Sequence, residues 1–196
     1  MLSNITVWVE MLLNGIFTGA MYALMALGLS LIWSIVGLFN FSHGALYMVG
    51  GYITWVLVVT LGFNLLLAIL ITFVIMFPLG FILEILLIKP LGRYGGTDEW
   101  AVGTIVVTLG VAIFFEAVAL SIFGGQFRSL PPLLSQILDF EILRVSVQMV
   151  ISFSVAIFLI IILWQFLKRT KIGLAMQAMS QDNEGAQMVG INPQLV

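Results

Sequence analysis

An all-α polytopic transmembrane bundle of about five spans is predicted, and three observations carry it. Of 196 residues, 62% are hydrophobic and only 8% charged, with a mean hydropathy of +1.20. Soluble domains carry about 25% charged residues, so this chain has too few to cover a water-exposed globule. The apolar residues fall into runs near the ~20 residues that a helix needs to cross a ~30 Å hydrocarbon layer. These runs are apolar on every face rather than alternating, which makes helices, not a closed barrel, the way to satisfy the backbone in lipid.

The spans are read as Met11–Val36, Gly44–Leu61, Leu65–Ile88, Ala101–Phe123 and Val145–Leu167. The breaks fall at Gly37 through His43, at Gly62-Phe63-Asn64, at Lys89 through Glu99, at Gly124 through Arg144, and after Lys168. Each break contains Gly, Asn, Pro or charge, the residues that interrupt helices. A secretory leader would open with Lys or Arg, whereas the first positive charge here is Lys89, so the amino-terminal run is expected to be a retained span. In the first span Gly15, Gly19 and Ala23 form a low strip along which another helix can approach, and Gly44, Gly50 and Gly51 form a second, with Ser42 expected to cap its helix.

Threading five spans sorts the cations by side. Lys89, Arg93, Lys168, Arg169 and Lys171 fall together and Arg128 and Arg144 opposite, and the richer side is expected in the cytoplasm. This puts the amino terminus outside and divides the chain into a bundle at 1–167 and a cytoplasmic segment at 168–196.

With a net charge of -2 and 7 Lys and Arg, no basic surface exists for a nucleic-acid backbone. Zero cysteines and one histidine exclude a disulfide framework, a thiol nucleophile and the usual zinc sites, and no metal or cofactor is expected. None of the lysines stands in a G-x-x-x-x-G-K-[ST] loop, and His43 is the only imidazole, so neither ATP hydrolysis nor a Ser-His-Asp triad belongs to this chain; it is not expected to be an enzyme.

Ionised carboxylates inside a membrane are costly, by roughly 2.5–3.5 kcal/mol or more, and Glu116 is the clearest case. It lies among Phe114, Phe115, Val118 and Leu120, either facing a solute path or ion site or serving as a hydrogen-bonded carboxyl at a helix contact. Glu84 and Glu10 read as boundary residues. The polar group Asn40, Ser42, His43 and Gly44 is either a tight turn between helices or a segment that lines a path. The loop Gly124–Arg144 carries Arg128, Asp139, Glu141 and Arg144, and Pro131-Pro132 hold part of it extended.

After Lys171 the chain becomes polar and rich in small residues, helical until Gly190 and Pro193 stop it, with Asp182 and Glu184 at the start of a short second helix. It is either an interfacial helix on the bilayer or a peg for a soluble partner.

Glu184-Gly185-Ala186 followed by Gly190 resembles the E-A-A-x-x-x-G motif of ABC importer permeases, with Gly in place of the second residue. Asn40-Phe41-Ser42-His43-Gly44-Ala45-Leu46-Tyr47-Met48 resembles the N-F-[AS]-H-G-x-x-Y-M segment of branched-chain amino-acid permeases of the LivH type. Asn14 to Gly28 looks like that family's first span, and Lys89-Pro90-Leu91 and Arg169 to Gly173 look like its loops. Members of the family continue for roughly a hundred residues beyond the coupling motif, so this chain is expected to be a fragment or a shortened relative.

The resemblance implies a multi-pass permease subunit in the plasma (inner) membrane of a bacterium or archaeon. It would pair with a second permease, identical or homologous, above cytoplasmic ABC ATPase subunits, and receive a branched-chain or other hydrophobic amino acid from an extracytoplasmic binding protein. Urea and amide permeases share the pattern, so the solute stays open. On this view Asp182, Glu184, Gly185, Ala186 and Gly190 engage the ATPase, and Arg128, Asp139, Glu141 and Arg144 orient the binding protein. Asn40, Ser42, His43, Gly44 and Glu116 line the path. The alternative is a gradient-driven secondary transporter or channel subunit in which Glu116 holds a proton or cation; a scaffold subunit with no path is a third reading.

Overall fold

The computed structural model describes residues 2–37, 40–91, 97–131, 137–140 and 143–192, with backbone alone at 2–6, 36, 91, 97–99, 137–140, 143–145 and 183. In chain order the elements are α1 (Leu2–Val36), α2 (His43–Trp55) extended by a π-helical turn (Val56–Thr60), and α3 (Leu65–Leu83) extended likewise (Glu84–Ile88). There follow α4 (Lys89–Leu91), α5 (Thr97–Phe123), the strands β1 (Ile137–Phe140) and β2 (Leu143–Ser146), then α6 (Val147–Arg169), α7 (Lys171–Gln181) and α8 (Asn183–Met188). Among the described residues five helical stretches, Val7–Ile35, His43–Thr60, Leu65–Ile88, Trp100–Phe123 and Val147–Arg169, are long and apolar enough to cross a membrane.

These match the expected spans closely because uninterrupted apolar length decides them. The breaks are built by the residues that punctuate the sequence: Gly37, Gly62 and Gly124 each take a positive φ of 70–73°, and the Asn64 side chain caps α3 by accepting from the Leu66 amide at 2.9 Å. Pro78 sits inside α3. The loop after α5 holds an unforeseen two-stranded antiparallel hairpin, in which Asp139 is in register with Arg144; four-residue strands leave the class all-α.

The chain forms two compact units, Met1–Gly37 with Pro132–Val196, and Leu38–Pro131. In the first, α1 packs along α6, where Phe17 meets Phe153 edge to face with ring centroids 5.2 Å apart, and α7 reaches both helices. In the second, α2 packs against α3 and α5. The buried apolar side chains are mostly alanines, Ala20, Ala45, Ala68, Ala119, Ala156 and Ala186, which lets backbones approach closely.

Two packing expectations need correction. Gly15 and Gly19 are exposed, and a β-carbon added at either meets nothing within 4 Å; the small residue buried in α1 is Ala20. In the second strip Gly44 and Gly51 are open too, and only Gly50 faces a neighbour, the Met76 and Thr72 side chains of α3. Beside it the Thr54 and Thr72 hydroxyls share a 2.9 Å hydrogen bond, a polar tie between α2 and α3.

Candidate functional site

The carboxy-terminal motif is a capped pair of short helices hung from α6. At the end of α6 Thr170 leaves the helical region, its hydroxyl donates to the Phe166 carbonyl at 2.7 Å and accepts from the Gly173 amide at 3.0 Å, and α7 starts at once. Asp182 separates α7 from α8, and its carboxylate accepts from the Gly185 amide at 2.9 Å as N-cap. At the far end Gly190 takes φ +91°; its amide bonds the Gln187 carbonyl and the Ile191 amide bonds the Ala186 carbonyl, both at 3.0 Å, which is a Schellman stop. Between the two stops Ala186 is buried, while Asp182 and Glu184 are exposed.

The glycine at the second motif position has a local cause. A β-carbon on Gly185 would collide with the Asp182 carboxylate that caps the helix. Alanine is ordinarily the better helix former by about 1 kcal/mol, and losing a cap costs about 0.5–2 kcal/mol. Gly185→Ala is therefore expected to change stability by no more than about 1 kcal/mol, the lost cap offsetting the better helix former, yet to stabilise the protein by about 1 kcal/mol when Asp182 is also alanine; thermal melts of the four species measure this coupling.

The second group, Asn40 to Gly44, forms a tight turn. The Asn40 side-chain oxygen accepts from the Ser42 amide at 3.0 Å and from the Ser42 hydroxyl, while the Asn40 carbonyl accepts from the His43 amide at 3.2 Å. Ser42 occupies the N-cap position of α2 but makes no side-chain cap bond, contrary to expectation: its backbone is already helical at φ -76° and ψ -6°, not extended as a capping residue's is. The turn is tied to α5 through Thr108, whose hydroxyl accepts from the Phe41 amide at 3.2 Å and donates to the Thr104 carbonyl at 2.8 Å. Thr104 and Thr108 are the most buried polar side chains described, and nothing in the sequence singled them out. Thr108→Val keeps the shape and removes the hydroxyl that accepts from the Phe41 amide, so a loss of about 0.5–1.5 kcal/mol is expected in a thermal melt, with Thr108→Ser close to wild type.

Glu116 belongs elsewhere. It lines an open cleft of about 510 Å³ together with Met48, Tyr52 and Trp55 of α2, Leu120 of α5 and Arg128 beyond it. Met48, Gly51, Tyr52 and Trp55 recur on one face of α2, and Glu116, Ala119 and Leu120 on one face of α5, so helical spacing builds the walls. Small side chains at Gly51 and Ala119 leave the space. The cleft is closed at one end by Gly124 to Arg128: the positive φ of Gly124 turns the chain, and the Arg128 guanidinium returns to donate to the Phe123 carbonyl at 3.0 Å, 4.7 Å over the Trp55 ring. Phe123 stacks on Tyr52 with centroids 4.2 Å apart and meets Trp55 edge-on at 6.2 Å.

The expected path residues thus divide. Glu116 stands two helical turns beyond Thr108 on α5, roughly 12 Å along the axis, so Asn40, Ser42 and Glu116 occupy different stretches of the same helix pair. Among the expected docking residues, Arg128 is in the cleft, Asp139 and Arg144 are backbone partners in the hairpin, and Glu141 lies outside the described residues.

Comparison with known proteins decides the family. Residues 11–196 match the family described as branched-chain amino acid transport system / permease component. The chain belongs to that family. It is 25% identical over 198 residues to the high-affinity branched-chain amino acid transport system permease protein BraD of Pseudomonas aeruginosa, with 94% of this chain and 63% of BraD covered. It is 25% identical over 199 residues to the LivH permease protein of Escherichia coli K12, again 94% of this chain and 63% of that protein. The probable LivH of Methanocaldococcus jannaschii is 27% identical over 187 residues, covering 93% of this chain and 58% of that protein. The chain therefore spans less than two thirds of the length of these relatives. No solved structure gave a significant match. As a member of a permease family with five membrane-length apolar helices among the described residues, it is a multi-pass membrane protein.

Proposed function

We propose that this permease is a membrane subunit of an ATP-binding-cassette importer for branched-chain amino acids, and that α7 and α8 are its coupling segment. The observation that carries the reading is the doubly stopped α8: a compact peg of fixed length, set off from the last span by a hydrogen-bonded corner and presenting Asp182 and Glu184 outward. An exposed helix with both ends capped keeps its shape when it is seated in another protein, so little ordering cost opposes docking. On this reading α7 and α8 lie in the cytoplasm, the amino terminus and the hairpin lie outside, and the chain works in the inner membrane with a second permease, ATPase subunits and an extracytoplasmic binding protein. Nucleotide binding below biases two states of the spans through contacts made in only one of them.

Co-purification from membranes followed by uptake into vesicles tests it. ATP-dependent, vanadate-sensitive accumulation of leucine with a soluble ATPase retained in the complex is the expected result. Uptake driven by an ion gradient without ATP would establish the secondary-transporter alternative instead, and association without flux would establish a scaffold.

A further inference from the structure

We infer that the cleft between α2 and α5 is a solute station for a zwitterionic aliphatic amino acid, with Arg128 taking the α-carboxylate and Glu116 the α-ammonium. The assignment rests on the importer reading and adds to it a place and two named groups.

Three features of the cleft point to this ligand. Its volume, about 510 Å³, is within the range of small-molecule sites, and its walls are apolar with few polar groups. Those polar groups have opposite sign. The Arg128 guanidinium is held at the carboxy-terminal end of α5 by its bond to the Phe123 carbonyl and by the Trp55 ring, which fixes its plane while employing one of five N–H donors in the bond to Phe123. Glu116 lies seven residues before Phe123, roughly 10 Å along the helix.

That spacing suits an α-amino acid bound between the two groups. The ammonium nitrogen and a carboxylate oxygen of one molecule are joined through two tetrahedral or planar centres and lie at most about 3.6 Å apart, and a charge-assisted hydrogen bond at each end adds about 2.8 Å. The sum, about 9 Å, is comparable to the rise of roughly 10 Å between the Glu116 backbone and Phe123, whose carbonyl holds Arg128. A branched aliphatic side chain would then lie against Met48, Leu120 and the aromatic face of Tyr52 and Trp55. A solute carrying one charge, or none, would forgo one of the two charge-assisted hydrogen bonds, and that difference is the source of selectivity.

The experiment uses the assembled transporter in proteoliposomes, with binding protein saturated with leucine, and reads leucine taken up per ATP hydrolysed. Arg128→Gln and Glu116→Gln are each expected to lower that ratio by about tenfold, because each removes one charge-assisted hydrogen bond to the solute. The double variant is expected to be little worse than either single one, since both act through one bound molecule. Isocaproate, which lacks the ammonium, should compete with leucine better in Glu116→Gln than in wild type. An unchanged ratio in Arg128→Gln, fully multiplicative losses, or uptake and hydrolysis falling in parallel would overturn the station. The last of these would mark Arg128 as part of the binding-protein contact. Wild-type complex with no ATP-driven uptake would remove the importer reading itself, and the station with it.

Discussion

Gly173→Ala is expected to lower the stability of this permease by about 3 kcal/mol, the upper end of what an added buried carbon costs, because the obstacle is backbone. A β-carbon at Gly173 would lie 2.7 Å from the Leu167 carbonyl oxygen and closer still to the carbonyl oxygen of Phe166. Neither atom can rotate away, since both belong to the last turn of α6. The close approach exists because Thr170 folds the chain back on itself, donating to Phe166 and accepting from Gly173, so that α7 begins without a linker. To admit a methyl group, α7 must slide off α6, breaking the Thr170 cap and shifting α8 with it. For a chain of this size about 3 kcal/mol corresponds to roughly 6–12 °C in the thermal midpoint. Detergent-solubilised protein followed by fluorescence during heating measures it. A midpoint within a degree of wild type would mean that the corner is not closed as described. Thr170→Val, which removes both hydrogen bonds but adds no atom against α6, should lie between the two.

What was legible in the sequence follows from how far apart the deciding residues stand. The spans are set by contiguous apolar length, and the run Leu65–Ile88 appears as α3 with its π-helical end at the same limits. The double stop of α8 was equally local: an acid before a short helix and a glycine after it are chemistry that works within four residues. Arg128 was assigned by its loop, although its position is decided by Phe123 and by Trp55, and the latter is more than seventy residues away in sequence. Thr104 and Thr108 passed as ordinary helix residues because a threonine that bonds the carbonyl four residues back can sit in lipid or in protein at the same local cost; only the turn at Asn40 makes Thr108 matter. The glycine strip of α1 shows the converse. A small-residue spacing advertises that a helix can approach, but not which one, and here Gly15 and Gly19 meet nothing within the chain while Ala20, on another face, is buried.

The second large effect expected is functional rather than structural, and it falls on Glu184. This residue is in the first turn of α8 and exposed, so its charge contributes to the fold only through the amino-terminal end of a short helix, worth about 0.3–1 kcal/mol. Glu184→Lys, which replaces a favourable charge at that end with an unfavourable one, should therefore leave the thermal midpoint within roughly 8 °C of wild type, since about 2 kcal/mol moves a domain of this size by that much or less. A partner that reads this surface sees something different, a change of two units of charge at the centre of its contact. Like charges forced together at an interface cost several kcal/mol, enough to reduce complex formation and coupled uptake by more than about tenfold. Retention of the ATPase on immobilised permease, measured beside vanadate-sensitive uptake, separates the two contributions. Loss of both with the midpoint preserved is the outcome that the coupling proposal requires. Gln at the same position, neutral and of equal length, should fall between wild type and Lys, because it removes the attraction without adding repulsion. If Glu184→Lys retains its ATPase and transports normally, α8 is an interfacial helix lying on lipid, and the force that moves the spans must enter through some other surface.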